Sequence, residues 1–258
     1  MRLGSIDRSS DRPPYRQIAD DLRSLITSSH FAPGEKLPSE ATLIEHYAVA
    51  RMTVRQAIQE LRNEGLVVAE HGKGVFVQRK APVRRLASDR FARRHRERGK
   101  AAFLAETEKA GARASVDRIR VQERVPDSEI QERLRLASDE LVVVRSRRYL
   151  ADEVPVETAV SYIPADIAHG TPIAERDTGP GGIYARLEDL GHILDHFVEE
   201  VTARMPSQEE RDALLLGSSL PVLRVVRTAY DTAGRPVEVC DTIKSAPAYV
   251  LEYDFPAR

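Results

Sequence analysis

The 258-residue sequence has a single cysteine, Cys240, and no apolar stretch long enough to span a bilayer. One cysteine cannot form a disulfide within its own chain, which excludes a disulfide-stapled secreted domain. A membrane helix needs about 18 consecutive apolar residues, and residues 1–14 are too polar to be the apolar core of a signal peptide. We therefore expect a cytoplasmic protein without a membrane partner.

Net charge is also scarce, at −1 for the whole chain, but it is unevenly distributed. Residues 1–80 carry +2, residues 81–113 carry +6 and residues 114–258 carry −9. Such asymmetry is typical of a nucleic-acid-facing end joined to an acidic body. A surface charge that is merely uneven explains this distribution equally well. The charges alone therefore do not distinguish the two interpretations, and the sequence motifs are needed to do so. The length predicts two domains.

The first 80 residues have the pattern of three helices. Apolar residues recur at helical spacing between Tyr15 and Ser29, and the Pro- and Gly-rich stretch from Pro33 to Pro38 ends that helix. Ser39 is a candidate N-cap for a second short helix. The third helix is predicted from about Arg51 to Asn63, and Gly65 stands where helices commonly end.

The third helix combines an apolar stripe with a basic and amide stripe. The first stripe consists of Val54, Ile58 and Leu61; the second consists of Arg51, Arg55, Gln59 and Arg62. A helix of this kind after a short turn is what insertion into the major groove requires, since arginine can bind guanine and glutamine can bind adenine. An ordinary amphipathic helix with a solvated basic face has the same pattern.

Two β-prone runs follow the third helix. They are Leu66–Glu70 and Val75–Val77, joined by His71-Gly72-Lys73-Gly74. The glycines favour a tight hairpin whose tip presents His71 and Lys73. A hairpin in this place is a wing able to touch the DNA backbone, although the four residues alone would also fit a plain hairpin.

Taken together, these segments resemble the DNA-binding domain of the GntR family. The similarity rests on Tyr15–Ala19, Pro33–Glu40, Arg51–Ala57 and Gly65–Val77. It implies a winged helix-turn-helix that binds a pseudo-palindromic double-stranded operator, with most contacts from the recognition helix and a wing whose glycine approaches the backbone. The candidate DNA-binding residues are Arg51, Thr53, Arg55, Gln59, His71, Gly72 and Lys73.

Two positions depart from the pattern of that family. Ala41 stands where the family often has a basic residue, and Ala50 stands where it often has Ser or Thr. The departures leave the predicted fold unchanged but make one or two phosphate or base contacts uncertain.

From about Ala114 the pattern changes to strands rich in Val and Thr. Strands are predicted at 116–125, 141–150, 154–163, 196–205, 222–230 and 237–243, with helices at 128–136, 183–190 and 208–215. The motifs Arg147–Val156, Ser161–Ala165, Pro221–Val225 and Tyr230–Glu238 resemble the UTRA domain. That resemblance implies the HutC subfamily, a chorismate-lyase-like effector-binding fold and a homodimer.

The predicted fold class is α+β: an N-terminal winged helix-turn-helix followed by a UTRA domain with a largely antiparallel sheet. We place a flexible N-terminus at 1–14, the DNA-binding domain at 15–78, a basic linker at 79–94 and the UTRA domain at 95–258. Residues 79–100 hold ten Lys and Arg. Extra DNA contacts, a hinge or effector-pocket role, and a solvated helix running from Ser88 to Lys109 all remain open for them.

Candidate effector-binding residues follow from strand alternation. Arg145, Arg147 and Tyr149 share one face of their strand, and two guanidiniums with a phenol suit an anion. Ser161 and Glu238 match polar pocket positions of the resembled family. Arginines facing solvent or paired with acidic residues are the alternative.

The sequence predicts a transcription regulator, more often a repressor in this family, that responds to a small-molecule effector. No nucleophile motif or metal-ligand spacing is present, so we expect no catalytic residue, no metal and no cofactor. His192 and His196 are four residues apart but have no accompanying ligand set. Two alternatives are a constitutive repressor with a degenerate pocket and an enzyme that uses the lyase-like fold.

Overall fold

The computed structural model describes residues 3–70, 72–78, 83–86, 102–217 and 219–254. The chain divides into two compact units. The first consists of Met1–Ala81 with Gly217–Leu220, and the second of Pro82–Leu216 with Pro221–Arg258. None of the described helices is both long and apolar enough to cross a membrane.

The first unit is built from three helices and a hairpin. The helices are α1 (Pro14–Thr27), α2 (Glu40–Tyr47) and α3 (Arg51–Asn63), and the hairpin strands are β1 (Val67–Glu70) and β2 (Gly74–Val77). Ser39 caps α2 by accepting a hydrogen bond from Thr42 N at 3.1 Å. The N–H of Leu66 bonds the carbonyl of Leu61 at 3.0 Å, which closes α3 around Gly65 in the left-handed region.

The apolar stripes of these helices form one core. Ile18 and Leu22 of α1 meet Leu43 of α2 and the Val54 and Leu61 side chains of α3, all fully buried. Burial of one such side chain contributes roughly 1.5–3 kcal/mol. This packing holds α3 with its other face outward, so the apolar spacing in the sequence determines which side of α3 is exposed.

Residues 3–13, part of the segment predicted to be flexible, lie against the first unit. Leu3 and Ile6 pack on its core, and Gly4 N donates to Asp21 Oδ2 at 2.7 Å. Gln17 of α1 accepts from Asp7 N at 2.8 Å and donates to Asp7 O at 2.9 Å. The helices therefore hold this N-terminal arm in the structure.

The second unit contains the remaining elements. Its helices are α4 (Ala102–Lys109), α5 (Ser128–Leu134), α6 (Ala165–Ala168), α7 (Gly182–Asp189) and α8 (Gln208–Leu214). Its strands are β3 (Val83–Leu86), β4 (Ala114–Arg124), β5 (Val142–Ala151), β6 (Val154–Pro164), β7 (Leu194–Arg204), β8 (Val222–Asp231), β9 (Pro236–Ser245) and β10 (Tyr249–Glu252).

Six of the described strands form one antiparallel sheet in the order β4-β5-β6-β9-β8-β7. Helix α5 packs on one face through Ile130 and Leu134. Helices α6 and α7 pack through Ile167 and Leu187 on a second cluster with Val143 of β5. An α+β unit with an antiparallel sheet is what the strand alternation predicts, and this prediction is confirmed.

The second unit is internally repeated. The order α4-β4-α5-β5-β6 recurs as α7-β7-α8-β8-β9, and the two halves meet where β6 pairs with β9. Asp127 and Ser207 cap the equivalent helices α5 and α8, and both helices end in a left-handed residue, Arg135 and Leu215. Arg147 is paired with Ala159 in the first half as Arg227 is with Cys240 in the second. By the same registers, Glu157 is equivalent to Glu238.

The region around the predicted linker contains a strand that the sequence pattern did not indicate. Residues 83–86 form β3, which pairs in parallel with β10, another strand that was not predicted. Both strands are only four residues long, too short for alternation to identify them. Residues 79–82 and 87–101, with most of the basic segment, lie outside the described residues, and 102–109 are helical as predicted.

Candidate nucleic-acid interface and ligand cavity

Helix α3 presents the predicted DNA-binding side chains on its outer face. Arg51, Arg55 and Gln59 are exposed and Thr53 is half-buried. Arg55 Nε lies 3.1 Å from Glu40 Oε2 of α2, and Gln59 Nε2 donates to Asn63 Oδ1 at 2.8 Å. All four side chains thus lie on α3, which a short turn connects to α2.

The turn between α2 and α3 is tight. Ala48 ends α2 in the left-handed conformation, with φ of 51°. Ala50 precedes α3 without a side-chain cap, as expected for an alanine where Ser or Thr would cap. Helix α3 therefore begins at Arg51 close to the end of α2, the arrangement of a helix-turn-helix.

The hairpin β1–β2 supplies the wing. Strand pairing runs from Val67–Val77 to Glu70–Gly74. Gly72 has φ of +72°, and a Cβ at this position would meet nothing within 4 Å, so backbone conformation and not crowding favours glycine here. Lys73 is exposed at the tip. His71, also predicted to bind DNA, lies outside the described residues.

The second unit contains a cavity of about 390 Å³. Its floor is the sheet face that carries Arg145, Arg147 and Tyr149 of β5 with Glu238 of β9. Walls come from Phe103 of α4, from loop 176–181 and from the start of α7. Four of the five predicted effector-binding residues thus line one cavity. Ser161 is buried beside it and contacts Arg147.

Arg147 is oriented by its neighbours. Nε donates to Tyr149 Oη at 2.6 Å, and Nη2 donates to Ser161 Oγ at 2.9 Å. Ser161 stands on the adjacent strand β6, where it pairs with Arg145 in register. The side chains of Tyr149 and Ser161 therefore hold the Arg147 guanidinium at the cavity, which reduces the rotamer entropy lost when an anion binds.

Arg145 has a different role in the structure. Nη1 donates to the carbonyl of Ile173 at 2.7 Å and also to that of Glu175, while Nη2 donates to the carbonyl of Arg176 at 3.0 Å. Burial, together with the positive charge of Arg147, lowers the pKa of the Arg145 guanidinium to about 10. Arg145 fixes the loop that walls the cavity and adds positive charge beside Arg147.

The cavity also holds a buried group with unused hydrogen-bonding capacity. Within the described part of the chain, Glu238 Oε2 is buried without a hydrogen-bond partner. Arg227 Nη2 lies 3.9 Å from it. A buried carboxylate oxygen left unsatisfied is costly, and a hydroxyl or ammonium group of a ligand would satisfy it.

Several cavity residues were missed by the sequence reasoning. Arg227 donates from Nε to Tyr184 Oη at 2.7 Å, and burial raises the pKa of Tyr184, which therefore stays neutral. Glu157 and Thr242 also line the cavity. The internal repeat is the signal that would have found two of them, because Arg227 is the counterpart of Arg147 and Glu157 that of Glu238.

His192 and His196, the pair of histidines four residues apart in the sequence, each contact a neighbouring side chain. His192 Nδ1 lies 2.9 Å from Asp231 Oδ2, and the His196 ring stacks on Tyr230 with centroids 4.7 Å apart. Among the described residues, no group of three or more His, Cys, Asp or Glu is arranged to hold a metal ion.

Both units are similar to known protein families. Residues 14–77 match the family of bacterial regulatory proteins called gntR, and residues 109–249 match the UTRA domain. An uncharacterized HTH-type transcriptional regulator of Streptomyces coelicolor, SCO4628, is 31% identical over 94% of this chain and 93% of its own. The HTH-type transcriptional repressor NagR of Bacillus subtilis is 26% identical over 96% of each chain.

A solved structure agrees in fold. PhnF from Mycobacterium smegmatis superposes with a TM-score of 0.61 at 20% identity, over 93% of this chain and 99% of that one. The similarity thus extends over both the helix-turn-helix of the first unit and the sheet of the second. The chain belongs to the gntR family of bacterial regulatory proteins, as a DNA-binding transcription regulator with a UTRA domain.

Proposed function

We propose that this regulator is a homodimeric repressor whose operator affinity changes when a small anionic effector occupies the cavity of the second unit. The observation that carries the proposal is the convergence of Arg147, Arg227 and Glu238 on one cavity. Its volume of about 390 Å³ falls within the range usual for metabolite-sized ligands. NagR, a relative over the full length, is described as a repressor, which supports repression here.

The chemistry of the cavity limits the effector. Arg147 presents a fixed guanidinium that suits a phosphate or carboxylate, because both anions accept paired N–H bonds. Glu238 Oε2 accepts no hydrogen bond within the described part of the chain and so favours a ligand that donates one. We infer a ligand with an anionic group and at least one hydroxyl or amine. The relatives are transcription regulators, so we infer that the cavity binds its ligand without transforming it.

The DNA-binding half acts through α3 and the wing. Arg51, Thr53, Arg55 and Gln59 would contact bases and phosphates in the major groove, with His71, Gly72 and Lys73 at the backbone. Two copies in a dimer would place their recognition helices on successive half-sites of a pseudo-palindromic operator.

A buried ion-pair chain offers a route from cavity to linker. Arg85 of β3 is fully buried and pairs with Glu199 of β7. Glu199 Oε1 also lies 3.5 Å from Arg227 Nη1, which borders the cavity. An anion that draws Arg227 toward itself weakens its hold on Glu199 and so perturbs β3. Because β3 lies within the predicted linker 79–94, the change acts on the segment that follows the DNA-binding unit in sequence.

A metabolite screen tests effector binding. Thermal unfolding of the full chain is measured with a library rich in phosphorylated and carboxylated polyols, on wild type and Arg147→Met. Arg113→Met is the matched control, since Arg113 is exposed on the α4–β4 turn. We expect a hit that stabilises wild type and Arg113→Met but not Arg147→Met. Stabilisation of all three would place the site elsewhere.

The single cysteine gives an independent readout. Cys240 lines the cavity and is the only thiol of the chain, so a bound effector should slow its labelling by a small thiol reagent. If no compound of the library raises the unfolding temperature or slows the labelling of Cys240, a constitutive repressor with a degenerate pocket is favoured. Turnover of the hit into a product would instead favour an enzyme.

A further inference from the structure

The N-terminal arm places an arginine beside the recognition helix. Arg8 Nη2 donates to the carbonyl of Ala48, at a distance of 3.1 Å. Ala48 is the left-handed residue that ends α2, and Arg51 begins α3 three residues later. The bond uses one of the five N–H donors of a guanidinium, and Arg8 is exposed.

The arm holds this position through fixed contacts on both sides of Arg8. Before it, the backbone of Asp7 makes two hydrogen bonds to the Gln17 amide of α1. After it, Ser9 N donates to Asp7 Oδ1 at 2.9 Å and closes a local turn. Gln17 Nε2 also donates to Arg12 O at 2.8 Å. Arg8 thus sits at the apex of a turn pinned to α1.

We propose that Arg8 is an additional phosphate-binding residue, which contacts the DNA strand bordering the groove entered by α3. This inference rests on the proposed role of α3 as the recognition helix. When such a helix enters the major groove, its N-terminal residues contact base edges while the preceding helix crosses the DNA backbone. The turn at the end of that preceding helix, which Arg8 contacts, is therefore placed near phosphates. Arg8 brings a positive charge to that turn, whose own residues Ala48, Val49 and Ala50 bring none.

The contact is sequence-independent, so a probe of arbitrary sequence can test it. Each neutralised phosphate contributes about 0.9 to the slope of log affinity against log salt. The experiment measures fluorescence anisotropy of a labelled duplex of about 30 base pairs, long enough for two half-sites one helical turn apart, with the full-length protein over a series of KCl concentrations. The variants are Arg8→Gln, Arg8→Lys and the control Arg113→Gln, which removes the same charge from the α4–β4 turn of the second unit.

We expect Arg8→Gln to make the negative slope shallower, reducing its magnitude by about 0.9 for each bound chain. Arg8→Lys and Arg113→Gln should both keep the wild-type slope. A wild-type slope in Arg8→Gln would overturn the proposal. So would an equal loss in Arg8→Lys, because the arm and not the charge would then be responsible.

Arg51→Ala, Arg55→Ala and Arg8→Gln, measured on an operator duplex selected from random sequences, separate this proposal from the one on which it rests. If these two variants weaken binding while Arg8→Gln does not, only the Arg8 contact is wrong. If neither weakens binding, α3 is not the DNA-binding helix and the assignment of the whole surface fails.

Discussion

Arg55 of α3 and Glu40 of α2 form an exposed ion pair, with Nε 3.1 Å from Oε2 and with 54% and 37% of their side chains accessible. A surface pair of this kind contributes at most about 1 kcal/mol. A bidentate contact of arginine to guanine contributes about 1–3 kcal/mol of discrimination. A base contact of Arg55 would be the stronger of the two, so we expect Glu40 to orient Arg55 without preventing it from binding a base.

The weakness of that ion pair predicts the effect of removing each recognition-helix arginine. Arg51→Ala and Arg55→Ala should each weaken binding to an operator selected from random duplexes by about tenfold or more, and should reduce its preference over a scrambled duplex. Gel-shift titration at fixed salt measures both quantities. Arg113→Ala is the control, and wild-type affinity in both α3 variants would remove α3 from the interface.

Glu238 Oε2 lies 3.9 Å from Arg227 Nη2 but accepts no hydrogen bond within the described part of the chain, which predicts a split between two kinds of effector. Glu238→Gln keeps an acceptor oxygen but removes the charge, so a hydroxyl ligand should lose little affinity and an ammonium ligand should lose about tenfold or more. Calorimetric titration of the screened hit into both proteins measures the difference. Unchanged affinity in both Glu238→Gln and Glu238→Ala would show that Glu238 does not touch the ligand.

The Arg85–Glu199–Arg227 chain predicts a variant that binds but does not respond. Glu199→Gln weakens both ion pairs of the chain and leaves the cavity lining intact, since Glu199 is not part of it. We expect its effector affinity to stay within a few-fold of wild type while the effector-induced change in operator affinity shrinks. A full response in Glu199→Gln would contradict this route.

A second buried pair predicts a stability effect. Glu157 and Lys244 are almost completely buried, bonded to each other, and Tyr249 Oη donates to Glu157 Oε2 at 2.7 Å. Breaking one partner of a buried pair costs about 3–5 kcal/mol, whereas replacing both with apolar residues is often nearly neutral.

Lys244→Met should therefore destabilise the full chain more than Glu157→Leu with Lys244→Met. In the double variant no charge is left unpaired by the loss of this pair, and the Tyr249 hydroxyl loses its Glu157 acceptor, at about 1–3 kcal/mol. Urea denaturation gives the free energies of unfolding. A double variant less stable than Lys244→Met would show that the unpaired buried charge is not the main cost.

Asp231 predicts a pH dependence. Burial opposes its ionisation, but hydrogen bonds from His192, Arg235 N and Ala233 N outweigh burial and hold its pKa below the ordinary 3.8. A carboxyl with a depressed pKa stabilises the fold above its unfolded pKa and loses that contribution as pH falls through the folded value.

The stability difference between wild type and Asp231→Asn should therefore shrink as the pH falls from about 5 to below about 4. Urea denaturation across this range measures it. A difference that grows toward acid would contradict the assigned direction of the pKa shift.

Much of this structure follows from local pattern. The apolar stripe Val54, Ile58 and Leu61 predicts the buried face of α3, and alternation along β5 correctly places Arg145, Arg147 and Tyr149 on one face. Both inferences use only the period of the helix or strand, which neighbouring residues determine.

The remaining site residues depend on contacts between distant parts of the chain. Local alternation cannot reveal that Arg227 faces the same cavity as Arg147, because they are far apart in sequence and meet only when β6 pairs with β9. Likewise, Arg145 has the same sequence signature as Arg147, but loop 173–176 occupies its guanidinium. An alignment of the two halves of the second unit would have indicated that Arg227 faces the same cavity as Arg147. Only the folded loop reveals that the Arg145 guanidinium is bonded to backbone carbonyls.

The most direct test of ligand-gated DNA binding is the operator affinity of wild type and Arg147→Met with and without the screened effector, measured by fluorescence anisotropy. We predict that saturating effector changes the wild-type dissociation constant by about tenfold or more, within the range of typical allosteric coupling of about 5–150-fold, and leaves Arg147→Met unchanged. Effector binding to wild type with an unaltered operator dissociation constant would contradict the account.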